Sequence, residues 1–128
     1  MTVVALVFAA LAALLHVYIF VLESVLWTTP RARNTFRTTA EEAQATRQLA
    51  YNQGFYNLFL AVLAIVGVVV VAAGGTAVGL TLVVAGTASM LGAALVLFAS
   101  DASKRRAAST QGAFPLLALL SLGVAALV

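Results

Sequence analysis

Residues 3–22, VVALVFAALAALLHVYIFVL, run for twenty positions with His16 as the only group that ionises near neutral pH. At 1.5 Å of rise per residue, a helix of that length crosses the roughly 30 Å hydrocarbon layer of a bilayer. No basic segment precedes the run and no small-residue cleavage pattern leading into a soluble body follows it, so it reads as a retained membrane helix. The whole chain agrees with its first segment. Of 128 residues, 63% are hydrophobic and 9% charged, with a mean hydropathy of +1.09, whereas a soluble domain carries roughly 25% charged residues. A domain this small must cover much of its surface with polar side chains, and this chain lacks them. It also lacks cysteine, which removes disulfide scaffolds, thiolate metal sites and cysteine nucleophiles.

Working outward, Pro30 disfavours helix at Thr29, so the first helix is expected to stop near Trp27. Thr38-x-x-Glu41 and Thr39-x-x-Glu42 both match the capping box, in which a hydroxyl and a glutamate satisfy each other's free backbone amides. A second helix is expected to begin near Ala40, in water, and to continue through the apolar run 58–73. Gly74-Gly75-Thr76 is an uncharged break that favours a tight turn. Pro115 suits the first turn of a last helix. The expectation is an all-α integral membrane four-helix bundle, a single domain over 1–128. Its spans fall near 3–27, 47–73, 77–99 and 112–128, with loops at 28–46 and 100–111.

Spans of alternating direction place the 28–47 and 101–106 segments on one side, and these hold all seven Lys and Arg residues. The positive-inside rule makes that side cytoplasmic. Both termini then face away from the cytoplasm, in a multi-pass protein of the inner (plasma) membrane. The net charge of +3 is read as topology and attraction to anionic headgroups. No basic, aromatic surface suited to nucleic acid is present.

Lipid offers an unpaired polar group no partner, so polar residues within the spans are informative. His16 and Glu23 lie seven apart, about 20° from alignment on a straight helix, and Phe20 and Trp27 extend their stripe. Asn52, Gln53, Tyr56 and Asn57 occupy i, i+1, i+4 and i+5, a face about 100° wide. Gln111, Ser100 and Asp101 fall near the same depth. The pattern predicts a polar pocket in the cytoplasmic half and dry packing in the outer half. Plainer roles exist for each group. Glu23 can snorkel or bond Arg31 or Arg47, His16 can make one interhelical hydrogen bond, and the amides can hold helices together at about 0.6 kcal/mol each. An acid, an imidazole, three amides and two phenols at one depth exceed what such bonding requires. Gly79, Gly86 and Ala93, with Ala85, Ser89 and Gly92 beside them, form a small-residue pattern that lets helices approach closely, inside the bundle or in a homo-oligomer. Trp27, Phe36 and Tyr51 read as an interfacial aromatic belt.

In this pocket Glu23 and His16 are the candidate catalytic, proton-handling pair. Trp27, Asn52, Gln53, Tyr56, Asn57 and Gln111 are the candidate ligand-binding residues. One histidine and one carboxylate are too few for a closed metal site within a single chain, and a metal or haem held at a symmetric interface stays open. No phosphate loop, dinucleotide fingerprint or serine triad is present, and no residue pattern names a cofactor. The functional expectation is a cytoplasm-facing intramembrane pocket that binds or transforms a small amphipathic or lipid-like molecule. Its alternatives are a proton-coupled small-molecule transporter and a non-catalytic membrane subunit.

The strings His16-Val17-Tyr18-Ile19-Phe20-Val21-Leu22-Glu23-Ser24-Val25-Leu26-Trp27-Thr28, Glu41-Glu42-Ala43, Ala50-Tyr51-Asn52-Gln53-Gly54-Phe55-Tyr56-Asn57-Leu58-Phe59-Leu60-Ala61 and Gln111-Gly112-x-x-Pro115 resemble the small bacterial membrane proteins grouped as domain of unknown function 1304. The resemblance implies a four-helix inner-membrane protein with signature positions at His16, Glu23, Trp27, Asn52, Gln53, Tyr56 and Asn57. It implies no particular activity.

Overall fold

A computed structural model describes residues 1–127, and among these there is no strand. Helix α1 (Thr2–Phe20) continues into a π turn, Val21–Val25. Two short helices follow, α2 (Pro30–Phe36) and α3 (Ala40–Ala45), and then three long ones, α4 (Arg47–Ala72), α5 (Thr76–Ser100) and α6 (Arg105–Leu127). The four long helices form a closed antiparallel bundle: α1 packs between α4 and α6, and α5 lies across from it between the same two neighbours. Each is long and apolar enough to cross a membrane. Large aliphatic and aromatic side chains such as Val3, Leu14, Phe59, Val69 and Leu95 point outward and stay exposed. Such a surface is stable only in lipid, so the protein is a multi-pass membrane protein.

Small side chains form the interior. Ala5, Ala9, Ala12 and Ala13 of α1, Ala61, Ala64 and Gly67 of α4, Gly79 and Gly86 of α5, and Gly112 and Ala118 of α6 are all buried. Helices in lipid gain little by hiding apolar surface from one another, so close backbone approach and dispersion contacts hold them together. At Gly67 a methyl group would lie 2.7 Å from the Val83 amide nitrogen and 2.8 Å from the Gly79 carbonyl oxygen. Gly79 and Gly86 therefore serve α4–α5 packing, whereas Ala85, Ser89, Gly92 and Ala93 remain exposed. The small-residue pattern of the third span divides between an internal seam and an outer face.

The segments joining the spans carry more helix than their polarity predicts. Pro30 opens α2 behind the Thr29 cap, where a missing amide and a preset φ suit a first turn. Ala32 and Phe36 of α2 bury against Ile19 and Leu22, beside Trp27. Trp27 and Phe36 thus pack on each other, ring centroids 5.3 Å apart, instead of both lying in a belt; Tyr51 is the exposed member. Arg37 ends α2 in the left-handed conformation, φ 52° and ψ 51°. Of the two capping boxes in the sequence, Thr39 and Glu42 form theirs. The helix expected to run on from Ala40 is interrupted at Thr46 (φ −102°, ψ 5°), and α4 starts afresh at Arg47.

At the other link, α6 begins at Arg105, seven residues ahead of the Gly112 start that the charges suggested. Asp101 caps the preceding 3-10 turn by accepting from the Ser103 amide and hydroxyl at 2.9 and 2.6 Å. Arg105 packs over the Phe98 ring, 5.1 Å from its centroid, and its Nε donates to the Phe98 carbonyl. Lys104 and Arg105, which mark a loop by composition, are helical here, with Lys104 paired to Asp101 and Arg105 held on Phe98. Pro115 consequently lies inside α6, where it has no amide to give the Gln111 carbonyl.

Candidate functional site

Both inter-span links meet at one end of the bundle, where a cleft of about 530 Å³ opens between them. The π turn supplies its floor. In a π turn each backbone bond reaches one residue further than in an α-helix, which widens and rephases the helix. Here the turn brings Glu23 and Ser24 against α4 at Gly54. A methyl group on Gly54 would collide with Ser24 Oγ and come within 3.1 Å of Glu23 Cβ and the Phe20 carbonyl oxygen, so a side chain there would displace the Ser24 hydroxyl and loosen the crossing. Ser24 Oγ donates to the Tyr51 carbonyl at 2.8 Å.

Glu23 Oε2 accepts a hydrogen bond from Asn57 Nδ2 at 2.8 Å. The same Nδ2 donates to the Gln53 carbonyl at 3.2 Å, which ties the amide to its own helix. Both of its protons are then engaged, and the Asn57 side chain has one orientation. Glu23 Oε1 makes no hydrogen bond among the described residues. Trp27 walls one side, its indole nitrogen donating to Thr46 Oγ1 at 3.2 Å. Buried Ala50 and the exposed Leu49 and Gln53 of α4 complete the lining.

The rim is charged and comes from both links. Glu42 Oε2 accepts from the Thr39 amide at 2.8 Å and the Thr38 hydroxyl at 3.1 Å. These bonds, the Thr39 amide foremost, hold its carboxyl below the usual glutamate range. Asp101, bonded to Ser103 and paired with Lys104 at 3.3 Å, is likewise held low, the Ser103 hydroxyl contributing most. Arg37 lines the rim as well. The rim therefore carries charges of both signs, above the single acid of the floor.

The residues singled out by the sequence separate into four groups. Glu23, Trp27 and Gln53 line this cleft, and Asn57 reaches Glu23 from beside it. His16 is buried and lines neither this cleft nor the groove between α1, α2 and α6: its Nδ1 lies 2.8 Å from the Ala12 carbonyl. A carbonyl oxygen has no proton to give, so the neutral ring carries its proton on Nδ1. Seven residues also amount to about 10 Å of rise, and the two groups of the expected proton pair bond to different partners. Asn52 and Tyr56 lie on the outer face of α4, exposed among Tyr51, Phe55 and Phe59. The expected four-residue polar face straddles the edge of the α4 contact, because Ala50, Gly54, Ala61 and Ala64 decide which side turns inward. Gln111 lines a different groove, between α1, α2 and α6.

Sequence reasoning at membrane depth missed the rim, namely Arg37, Thr38, Glu42, Thr46, Ser103 and Lys104. The usable signal was the placement of both charged links at one end together with the capping box that positions Glu42.

No curated protein and no solved structure matches the chain. A family model described as "Protein of unknown function (DUF1304)" matches residues 10–123, a stretch that includes the second and third spans, most of the first and fourth, the π turn and every residue lining the cleft, and the chain belongs to that family.

Proposed function

We propose that this membrane protein binds a small amphipathic or lipid-like molecule in the cleft above Glu23, with the cleft facing the cytoplasm as the positive-inside rule directs. The observation that carries the reading is the Glu23 carboxylate, held on one oxygen by Asn57 and unpartnered on the other, at the floor of a cavity of about 530 Å³. Ligand pockets combine apolar walls with a few fixed polar groups. In this role Glu23 Oε1 accepts from the polar head of the ligand, Gln53 and Thr46 border it, and Trp27 and Leu49 cover its apolar part. His16, Asn52, Tyr56 and Gln111 take no direct part.

Native mass spectrometry of the chain extracted with its own lipids tests this. A retained small molecule is expected on the unaltered chain and on Tyr56→Leu, whose side chain lies on the outer face, and is expected to be lost from Glu23→Leu and Asn57→Leu. Equal retention by all four proteins overturns the reading.

A further inference from the structure

The groove between α1, α2 and α6, about 380 Å³, differs in character from the Glu23 cleft. Its inner wall is apolar: half-buried Leu15 and the largely covered Ile19 and Leu22 of α1 lie along it, about 10 Å from first to last at helical rise. Its mouth is basic. Arg37 from the end of α2 and Arg106 from the first turn of α6 line it, and no carboxylate does. The cleft on the other side, in contrast, has Glu23, Glu42 and Asp101 in its lining.

Neither the Arg37 nor the Arg106 guanidinium has a hydrogen-bond or ion-pair partner among the described residues. Each presents five N–H donors in a planar fork suited to phosphate oxygens. Arg31 stands at the flank, its Nε donating to the Tyr18 hydroxyl at 3.2 Å, and Tyr18 itself lines the groove. Two cations thus line the mouth, a third reaches the Tyr18 of its wall, and the α1 side of the groove is hydrocarbon. The order of chemistries along the groove is that of a phospholipid standing in its leaflet, phosphate at the surface and acyl chain below. Basic recesses between membrane helices are suited to phosphorylated headgroups.

We propose that this groove is a binding site for an anionic phospholipid, its phosphate between Arg37 and Arg106 and one acyl chain against Leu15, Ile19 and Leu22. The groove adjoins the Glu23 cleft, with Arg37 and Ser103 on the lining of both, but its occupant does not depend on the function proposed for that cleft.

The test uses the full chain in detergent, with phosphatidylglycerol, phosphatidylcholine or inorganic phosphate as the probe and native mass spectrometry and thermal unfolding as readouts. Phosphatidylglycerol is expected to bind in preference to phosphatidylcholine and to raise the melting temperature. Inorganic phosphate is expected neither to stabilise the protein nor to displace the lipid. Arg106→Gln is expected to weaken the phosphatidylglycerol complex, and Arg37→Gln with Arg106→Gln to weaken it roughly tenfold. Arg105→Gln, whose side chain packs on Phe98 outside the groove, is expected to bind as the unaltered chain does. Equal binding of the two lipids overturns the proposal, as does an equal loss in Arg105→Gln and the double variant. Displacement by inorganic phosphate reduces the site to an anion contact and also overturns it.

Discussion

Asn57 engages both protons of its amide, one on Glu23 and one on the Gln53 carbonyl. Removing one member of such a bond leaves the other desolvated without a partner, at a cost of about 1–3 kcal/mol, whereas removing both with apolar replacements of similar shape is far milder. Asn57→Leu is therefore expected to lower the thermal stability of the protein by that amount, and Glu23→Leu added to it to restore part of the loss, which a double-mutant cycle on unfolding measures. Glu42 illustrates a residue outside the membrane. Its carboxyl is held low chiefly by the Thr39 amide, so the capping box contributes fully above the ordinary glutamate pKa, and its contribution disappears as pH falls through the lowered value. Titration of Glu42 by carboxyl NMR is expected to show a midpoint below the usual glutamate range, and Thr39→Pro, which deletes the donating amide, to move that midpoint upward.

The helices depend on glycine unequally. Gly67 and Gly79 meet across the α4–α5 seam, where any added Cβ would stand 2.5–2.8 Å from neighbouring atoms, backbone among them. Gly67→Val is expected to force the pair apart and destabilise the bundle by about 1–3 kcal/mol, the usual range for overpacking. Gly92 on the outer face has nothing within 4 Å of the position of a Cβ, so Gly92→Ala is expected to leave stability unchanged or raise it by about 0.5–1 kcal/mol through helix propensity. Unfolding of the two variants in matched detergent distinguishes a glycine needed for contact from one that is not. The same distinction explains the fate of the polar face on α4. Its side chains could be read from the sequence, but the inward direction followed the small residues Ala50, Gly54 and Ala61, and Asn52 and Tyr56 turned outward with the opposite edge.

For the molecule as a whole, the two charged links lie at one end and the Gly74-Gly75 turn at the other. The chain has no cysteine, so single introduced thiols report position cleanly. Glu41→Cys and Ala102→Cys are expected to react with an impermeant maleimide only after cells are opened, and Ala73→Cys in intact cells. The reverse pattern would invert the orientation, and different behaviour of the first two would contradict the bundle.

The sequence by itself determined that there are four membrane spans, that one end holds the charges, that a capping box lies ahead of α4, and that Glu23 is an acid within the first span. These are properties of local composition and period, which each segment carries alone. Only the tertiary structure decided that a π turn delivers Glu23 to Asn57, that His16 bonds to its own helix, that Gln111 belongs to another groove, and that the links fold back to form a rim. Each of these depends on which helix faces are in contact. In lipid that choice follows from how closely backbones can approach, so it rests on the small residues of two helices at once and on neither sequence segment alone.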